Sequence, residues 1–324
     1  MRYPDLAVIR TLAASLALAF LCGCAGETGP YPSKEIRIIV QSPPGGLSDQ
    51  ISRIMGSLIE KDFGVPLVAE NKPGASGALA FSYVARQQPS GYIIGHTPVE
   101  LGMVRTLGYT DIGPGDMTLI CRVSLIPPVL VVRAEAPWKD FAEFVAAAKA
   151  QPGELIMANS GTGSIWHFNT LLLQANTGIQ VTHLPYNGSG GTLVSLMGGH
   201  VDAVIAGVSE AMTQIESGTL RPLAVFDSKR SSVLPDTPTT YELGYRMGTP
   251  AWSAFSGPPG MEPAVRDKLA GAFAKASEDP LFLNLCADRG IEPAYLGPAD
   301  FEKFAHQQAE YFAEQIPLLL GMRP

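Results

Sequence analysis

The stretch IRIIVQSPPGGLSDQISRIMGSLIE, residues 36–60, changes its hydrophobic period partway through. Ile36 to Val40 is β-branched apart from Arg37, the composition of a buried strand. After Pro43-Pro44-Gly45-Gly46, the residues Ile51, Ile54, Met55, Leu58 and Ile59 fall at the spacing of one helical face. Ser48 reads as the N-cap of that helix. The stretch is therefore strand, glycine turn, helix, and it holds no lysine or arginine at the turn.

The same order recurs along the chain. Val65–Glu70 is a predicted strand, followed by Asn71-Lys72-Pro73-Gly74-Ala75-Ser76-Gly77 and a helix through Phe81, Val84 and Ala85. A strand at Tyr92–Gly95 follows Pro89-Ser90-Gly91, and Val129–Val132 is apolar and β-branched. A helix through Phe141, Phe144, Val145 and Ala148 ends at Pro152-Gly153. Leu155–Asn159 leads through Ser160-Gly161-Thr162-Gly163-Ser164 into a helix with Phe168, Leu171 and Leu172. Ile179–Leu184 leads through Pro185-Tyr186-Asn187-Gly188-Ser189-Gly190-Gly191 into one with Leu193, Leu196 and Met197. Val201–Ala206 and Leu223-Ala224-Val225 are strands; from about Glu262 the pattern is helical, with Phe301, Phe304 and Phe312 as core. Alternation of this kind is the mark of an α/β fold with mainly parallel sheets.

Composition agrees. A chain of 324 residues that is 46% hydrophobic and 16% charged can bury a large core, in two lobes rather than one. A formal charge of −7, with no basic run, argues against nucleic acid as a partner. The five histidines are scattered and no CxxC occurs, so neither a metal site nor a cofactor is expected. Cys121 and Cys286 sit in apolar contexts and read as buried free thiols.

Arg2 and Arg10 followed by apolar Thr11–Leu21 read as an export signal over residues 1–23, too short to span a bilayer comfortably. Leu21-Cys22-Gly23-Cys24 resembles the lipobox of bacterial lipoproteins, with Cys24 as the lipidated residue. Ordinary cleavage after Ala25 or Gly26 is the other reading. Either places the protein in the periplasm.

A helix N-terminus presents unpaired N–H groups and a partial positive charge, so it holds an anion without any basic side chain. Glycine lets the ligand approach the backbone, and Ser or Thr adds a hydroxyl donor. Phosphate is disfavoured, because none of these turns reads G-x-x-x-x-G-K-[ST] or the full G-x-G-x-x-G. The turns suit a carboxylate. The competing class is an exported serine hydrolase using Ser164 and His167, three residues apart, although Trp166 breaks the G-x-S-x-G elbow. Asp49 is a first-turn acid favoured by the helix dipole, and no pair of carboxylates offers an acid/base case.

Tyr31-Pro32-Ser33-Lys34, Pro43-Pro44-Gly45-Gly46-Leu47-Ser48-Asp49 and Glu70-Asn71-Lys72-Pro73-Gly74-Ala75-Ser76-Gly77 carry a resemblance to a known family. So do Pro89-Ser90-Gly91-Tyr92, Pro185-Tyr186-Asn187-Gly188, Met197-Gly198-Gly199-His200-Val201-Asp202, Leu220-Arg221-Pro222-Leu223-Ala224-Val225 and Leu234-Pro235-Asp236-Thr237-Pro238-Thr239. From about Tyr31 onward the chain resembles the solute-binding proteins of tripartite tricarboxylate transporters, the Bordetella uptake gene (Bug) family.

That resemblance implies a type II periplasmic binding protein fold, with two α/β lobes joined by two crossing segments. Residues 31–128 and 228–324 would form one lobe and 129–227 the other. It implies no enzyme activity, a monomer, a small carboxylate ligand, and two integral membrane subunits as partners. Service to a membrane sensor rather than to uptake is the variant reading. The ligand contacts it implies are Ser42, Gly46, Leu47, Ser48 and Asp49, then Ala75 and Ser76, then Gly163, Ser164, Trp166 and His167, with Tyr186, Ala206 and Trp252. The chain departs from the family's pattern at Ser42, where Phe is common, at Leu47, where Gly is common, and at Trp166. An acid common near Ala206 is absent, which reduces the expectation of ligand amino-group recognition. Trp166 suggests an aromatic wall and a ligand such as terephthalate; packing in the second lobe is its other reading. Trp252 either covers the cleft or packs near a crossing segment.

Overall fold

The structure, a computed structural model, describes residues 30–321, so the export signal and Cys24 lie outside the described residues. The opening stretch forms β1 (Ile36–Val40) and α1 (Leu47–Phe63), with Ile51, Met55, Leu58 and Ile59 buried and Ile54 at the margin of that face. The helix begins two residues earlier than the Ser48 cap implies. Gly46 is the N-cap and Ser48 lies inside the first turn, where its Oγ accepts from Gln41 Nε2 at 3.0 Å. Proline and glycine before the helix already set its entry, so the serine hydroxyl is free for another role.

The first part of the chain continues through β2 (Leu67–Asn71), a 3₁₀ turn at Ala75–Gly77, α2 (Ala78–Ala85), β3 (Ile93–His96), a 3₁₀ turn at Val99–Gly102, and β4 (Thr118–Ile126). Pro127 then carries the chain into a second sheet. There lie β5 (Pro128–Arg133), α3 (Phe141–Ala150), β6 (Ile156–Asn159), α4 (Ile165–Thr177), β7 (Thr182–Pro185), α5 (Ser189–Met197), β8 (Ala203–Gly207), α6 (Val208–Glu216) and β9 (Leu220–Val225). After β9, Leu234 still packs in the second lobe's core and Thr239 bridges Val225. The chain rejoins the first sheet at β10 (Ala251–Gly257), then forms α7 (Pro263–Ser277), α8 (Pro280–Arg289), β11 (Glu292–Leu296) and α9 (Pro298–Leu319).

Among the described residues the first sheet runs β11-β4-β10-β3-β1-β2 and the second β7-β6-β8-β5-β9. Two α/β lobes are therefore present, but the sheets are mixed rather than mainly parallel. The pairs β1/β2, β1/β3, β6/β7 and β6/β8 are parallel. The strands around the crossings, β4, β5, β9 and β10, pair antiparallel, as does β11 on β4. A strand that leaves one sheet and feeds another in the same direction cannot keep the parallel wrap on both sides. The expectation of helix throughout the C-terminal part is corrected too, since Glu292–Leu296 is an edge strand. Its Pro293 is tolerated at an edge, where a missing N–H need not break a ladder.

Both cores are apolar and closed. Phe301 and Phe312 of α9 are fully buried, whereas Phe304 is only partly so. Cys121 in β4 and Cys286 in α8 are free, buried thiols. Among the described residues no helix is long and apolar enough to cross a membrane.

Candidate ligand-binding cleft

A cavity of about 890 Å³ lies between the lobes, inside the range of about 300–1,000 Å³ usual for small-molecule sites. Helix starts from both lobes meet there. Ser42, Gly46, Leu47 and Ser48 line it from the turn before α1; Ala75 and Ser76 line it from the 3₁₀ turn; Ser164 and Trp166 line it from the start of α4, and Tyr186 from the loop before α5. Trp252 of β10 belongs to the same wall. Ten of the residues named from the sequence therefore come together around one space.

Asp49, Gly163, His167 and Ala206 do not line it. Ala206 is buried inside β8, paired with Val129. Asp49 is a support behind the loop: its Oδ2 accepts from Gly45 N at 2.9 Å, its Oδ1 from Asn71 Nδ2 at 3.0 Å, and both from Arg53 Nε at 3.0 Å. Burial would raise its pKa, but the hydrogen bonds from Arg53, Gly45 and Asn71 outweigh that and lower it. Asn71 Nδ2 also donates to Ser42 O at 2.9 Å, tying the turn to the end of β2. Replacing Asp49 with alanine is expected to cost about 2 kcal/mol in urea unfolding, because three donors lose their acceptor at once. A loss under about 0.5 kcal/mol would show that water replaces the carboxylate.

The hydrolase geometry is absent from the Ser164–His167 pair. Ser164 Oγ accepts from the backbone N–H of His167 at 3.3 Å as the N-cap of α4, and His167 Nδ1 accepts from Gly163 N at 3.2 Å. The imidazole stands edge-on to His183, with ring centroids 4.9 Å apart. Burial, and then the nearby His183, push the His167 pKa down to about 4. The serine hydroxyl caps a helix and the histidine braces the glycine turn.

The two lobes touch across the mouth. Ser76 Oγ and Tyr109 OH both donate to Thr162 O, at 3.2 and 3.1 Å. Ala75 and Ser76 adopt left-handed backbone, φ 48° and 50°, which is costly for side chains other than glycine or asparagine. That strain turns Ser76 toward the opposite lobe.

Trp166 is 6% exposed, lines the cavity, and donates from Nε1 to Ser189 Oγ at 3.2 Å. The side chain is thus packed in the second lobe and also borders the cavity. Trp252 likewise is packed, 1% exposed and edge-on to the rings of Phe301 and Phe304, yet it also borders the cavity. Its Nε1 has no hydrogen-bond partner, nor do Ser42 Oγ and Ser209 Oγ. Ser42, Ser209 and Trp252 all line the cavity, and buried polar atoms without partners are uncommon in folded proteins.

The sequence reading missed the carboxyls. Glu100, from the 3₁₀ turn of the first lobe, reaches across so that its Oε1 accepts from Ile165 N at 3.3 Å, at the start of α4. Glu210 lies in the first turn of α6 and accepts from Gly207 N at 2.9 Å. Both line the cavity and are partly exposed to it. Burial pushes the Glu100 carboxyl up to about 7, and the nearby Glu210 adds to the rise. Burial raises Glu210 too, against hydrogen bonds from Gly207, Ser189 and Trp166. Two carboxyls, one from each lobe, therefore line the cleft. Position 210 is recognisable only as a capping acid in sequence; nothing local shows that it faces Glu100.

Two mixed α/β lobes around a cleft lined by helix starts define a solute-binding receptor of the periplasmic binding protein class. Residues 51–316 match the family model described as tripartite tricarboxylate transporter family receptor, and the chain belongs to that family. A UPF0065 protein of Bordetella pertussis is 30% identical over 302 residues, covering 91% of this chain and 92% of its own. Protein BugT of the same organism is 30% identical over 290 residues, covering 87% and 88%. The structure of R. palustris Rpa4515 with adipate has a TM-score of 0.84 at 27% identity, covering 90% of this chain and 99% of that one. The periplasmic binding protein BugD has a TM-score of 0.81 at 26% identity, covering 89% and 98%.

Proposed function

We propose that this protein is a periplasmic receptor that captures a small carboxylate between its lobes and delivers it to two integral membrane subunits of a tripartite transporter. It acts as a monomer, without a catalytic step, after export directed by residues 1–23 and with Cys24 as a candidate lipid anchor. The observation that carries the reading is the convergence of helix starts from both lobes on one cavity that has orphaned donors on its wall. Solved relatives add support, since one of them, at 27% identity, holds adipate.

Backbone N–H groups of the turns at Gly46 and Ala75, the hydroxyls of Ser42 and Ser48, and Trp252 Nε1 form the carboxylate end. Hydrogen bonds to a charged group contribute about 1.5–3 kcal/mol each. Three of them contribute about 4.5–9 kcal/mol before the cost of association, so burial of the ligand's apolar body supplies the rest of the roughly 8 kcal/mol of a micromolar ligand. Trp166 forms an apolar wall that favours a ligand with an aromatic body. Ligand contacts to both lobes would stabilise the closed arrangement over the open one.

Calorimetric titration of the purified protein with succinate, citrate, benzoate and terephthalate tests this. Saturable binding with the acid recovered intact is expected, and Trp166→Ser should weaken aromatic acids about tenfold more than aliphatic ones. Equal losses for both kinds would remove the aromatic wall but leave the receptor. Turnover of an ester that Ser164→Ala abolishes would replace the receptor reading with a hydrolase.

A further inference from the structure

We propose that Leu107 and Tyr109, from the segment between the 3₁₀ turn at Val99–Gly102 and β4, form a clasp that holds the lobes shut over the ligand and sets how fast it leaves. Both are positioning residues. This rests on the receptor reading above and adds to it the groups that keep the cleft closed.

The first ground is where the lobes meet. Two hydroxyls of the first lobe, Ser76 Oγ and Tyr109 OH, donate to one carbonyl of the second, Thr162 O, at 3.2 and 3.1 Å. A carbonyl oxygen has two lone pairs, so Thr162 O is fully taken up by the opposite lobe. Three residues further on, Ile165 N donates to Glu100 Oε1 at 3.3 Å. The glycine turn before α4 is therefore gripped from the first lobe near both its ends.

The second ground is steric and independent of these hydrogen bonds. Gly163 has φ +79°, and a Cβ there would lie 2.6 Å from Leu107 Cδ1 and 3.2 Å from Tyr109 Cε2. The leucine and the tyrosine ring are thus seated on the bare backbone of the turn. A side chain at 163 would push them off. Leu107 is half-buried and does not line the cavity, so its contact serves the lobes and not the ligand.

The third ground is that each surface is braced within its own lobe. In the first, Leu107 N donates to Met103 O at 3.1 Å, Gly108 N to Arg105 O at 3.0 Å and Tyr109 N to Val104 O at 3.0 Å. Arg105 Nε donates to Asp111 O at 2.9 Å, and the hydroxyls of Thr110 and Ser82 lie 2.8 Å apart, which ties the segment to α2. In the second, Gly161 N donates to Asn159 Oδ1 at 3.1 Å, Gly163 N to His167 Nδ1 at 3.2 Å and Ser164 N to Gly161 O at 3.0 Å. Surfaces fixed in this way lose little chain entropy when they close on each other. Every contact of the clasp is made by protein groups alone, so it stabilises the closed form whichever acid lies inside. The ligand enters the open form and leaves only after the clasp breaks, so the clasp acts on release rather than on entry.

The test is stopped-flow fluorescence, read from Trp166 and Trp252 at the cavity wall, with succinate, citrate, benzoate and terephthalate as ligands. Tyr109→Phe keeps the ring and removes the hydroxyl, whereas Leu107→Ala removes the seat on Gly163. Each should raise the dissociation rate of every acid that binds by about 3- to 10-fold, the net worth of one neutral hydrogen bond or of a half-buried side-chain contact. The factor should agree between acids within about twofold, with the association rate and the thermal transition retained. Unchanged dissociation in both variants overturns the clasp. So does a factor for Tyr109→Phe that depends on the acid while Leu107→Ala is inert, because Tyr109 then touches the ligand. In either case the receptor reading stands, since the acids still bind. Absence of binding by every acid at millimolar concentration overturns both.

Discussion

Replacing Gly248 with alanine is expected to destabilise the protein by about 4 kcal/mol, a large part of the about 5–15 kcal/mol that holds a domain folded. Gly248 lies on the return crossing between β9 and β10, at φ +128°, where a side chain is strained in any surroundings. There is also no room. A Cβ at this position would lie 2.1 Å from Phe226 O and 2.6 Å from its carbonyl carbon, so the obstacle is backbone rather than a movable side chain. Neither segment can yield easily. Phe226 N donates to Pro128 O at 2.8 Å, which ties the return crossing to the outgoing one. Thr249 N donates to Asn169 Oδ1 and Asn169 Nδ2 donates back to Thr249 O, each at 3.0 Å, and Asn169 is fully buried. The return crossing is thus held to the outgoing one at Phe226 and to α4 at Thr249. Urea unfolding of Gly248→Ala measures the loss. Gly45→Ala is the control: its φ is +83° but nothing lies within 4 Å of an added Cβ, so about 1 kcal/mol is expected. Equal effects for the two variants would show that conformation alone, and not the clamp, matters.

How far the sequence could be read depends on which interactions are local. The strand-to-helix step at Ile36–Ile59 was legible because β-branched residues and helical spacing meet at a glycine turn, and α1 buries four of the five residues named for its face. Ser48 was misplaced as a cap because a glycine can end a turn with its backbone alone, leaving no side chain to announce it. Residues of all four glycine turns line one cavity, and each turn is recognisable in sequence because a strand, a glycine and a helical spacing follow one another. Strand direction was not legible. Residues 118–126 and 251–257 are buried along almost their whole length, and a strand buried on both faces reads the same in either direction.

The roles of single residues in the cleft were the least legible. Asp49 and His167 are chemically active types placed near the ligand in sequence, yet both support the turns from behind. Glu100 and Glu210 are 110 positions apart in the chain and belong to different lobes. Their meeting follows from the docking of one sheet system against the other, which no local pattern encodes. Trp252 shows the limit in another form. Its apolar surroundings identify a core residue, but only the packed structure reveals that its indole N–H was left without a partner at the edge of a cavity.

Glu100→Gln is expected to stabilise the protein by about 2 kcal/mol at about pH 8 and to leave it unchanged at about pH 4. The folded-state carboxyl is pushed up to about 7 from an ordinary 4.5, first by burial and then by Glu210. Between these values the folded protein keeps a proton that the unfolded chain has released. Stability therefore falls as pH rises through that window and stays reduced above it. A glutamine carries no charge to bury, so the variant escapes the loss. His96 acts on the opposite side. It is fully buried, and burial pushes its pKa down to about 3 from 6.5, so the unfolded chain binds the proton first as pH falls. Stability is lost from about pH 6.5 downward, by on the order of 4 kcal/mol for this residue alone. The wild-type profile should thus be a dome with its top near about pH 6, and Glu100→Gln should lift only the alkaline side. Urea unfolding across this range measures both limbs. If the variant and the wild type coincide at about pH 8, the Glu100 carboxyl bears no burial penalty and water reaches it freely. If the variant gains as expected, the wild type keeps a charged group in its cleft at a cost to its own stability.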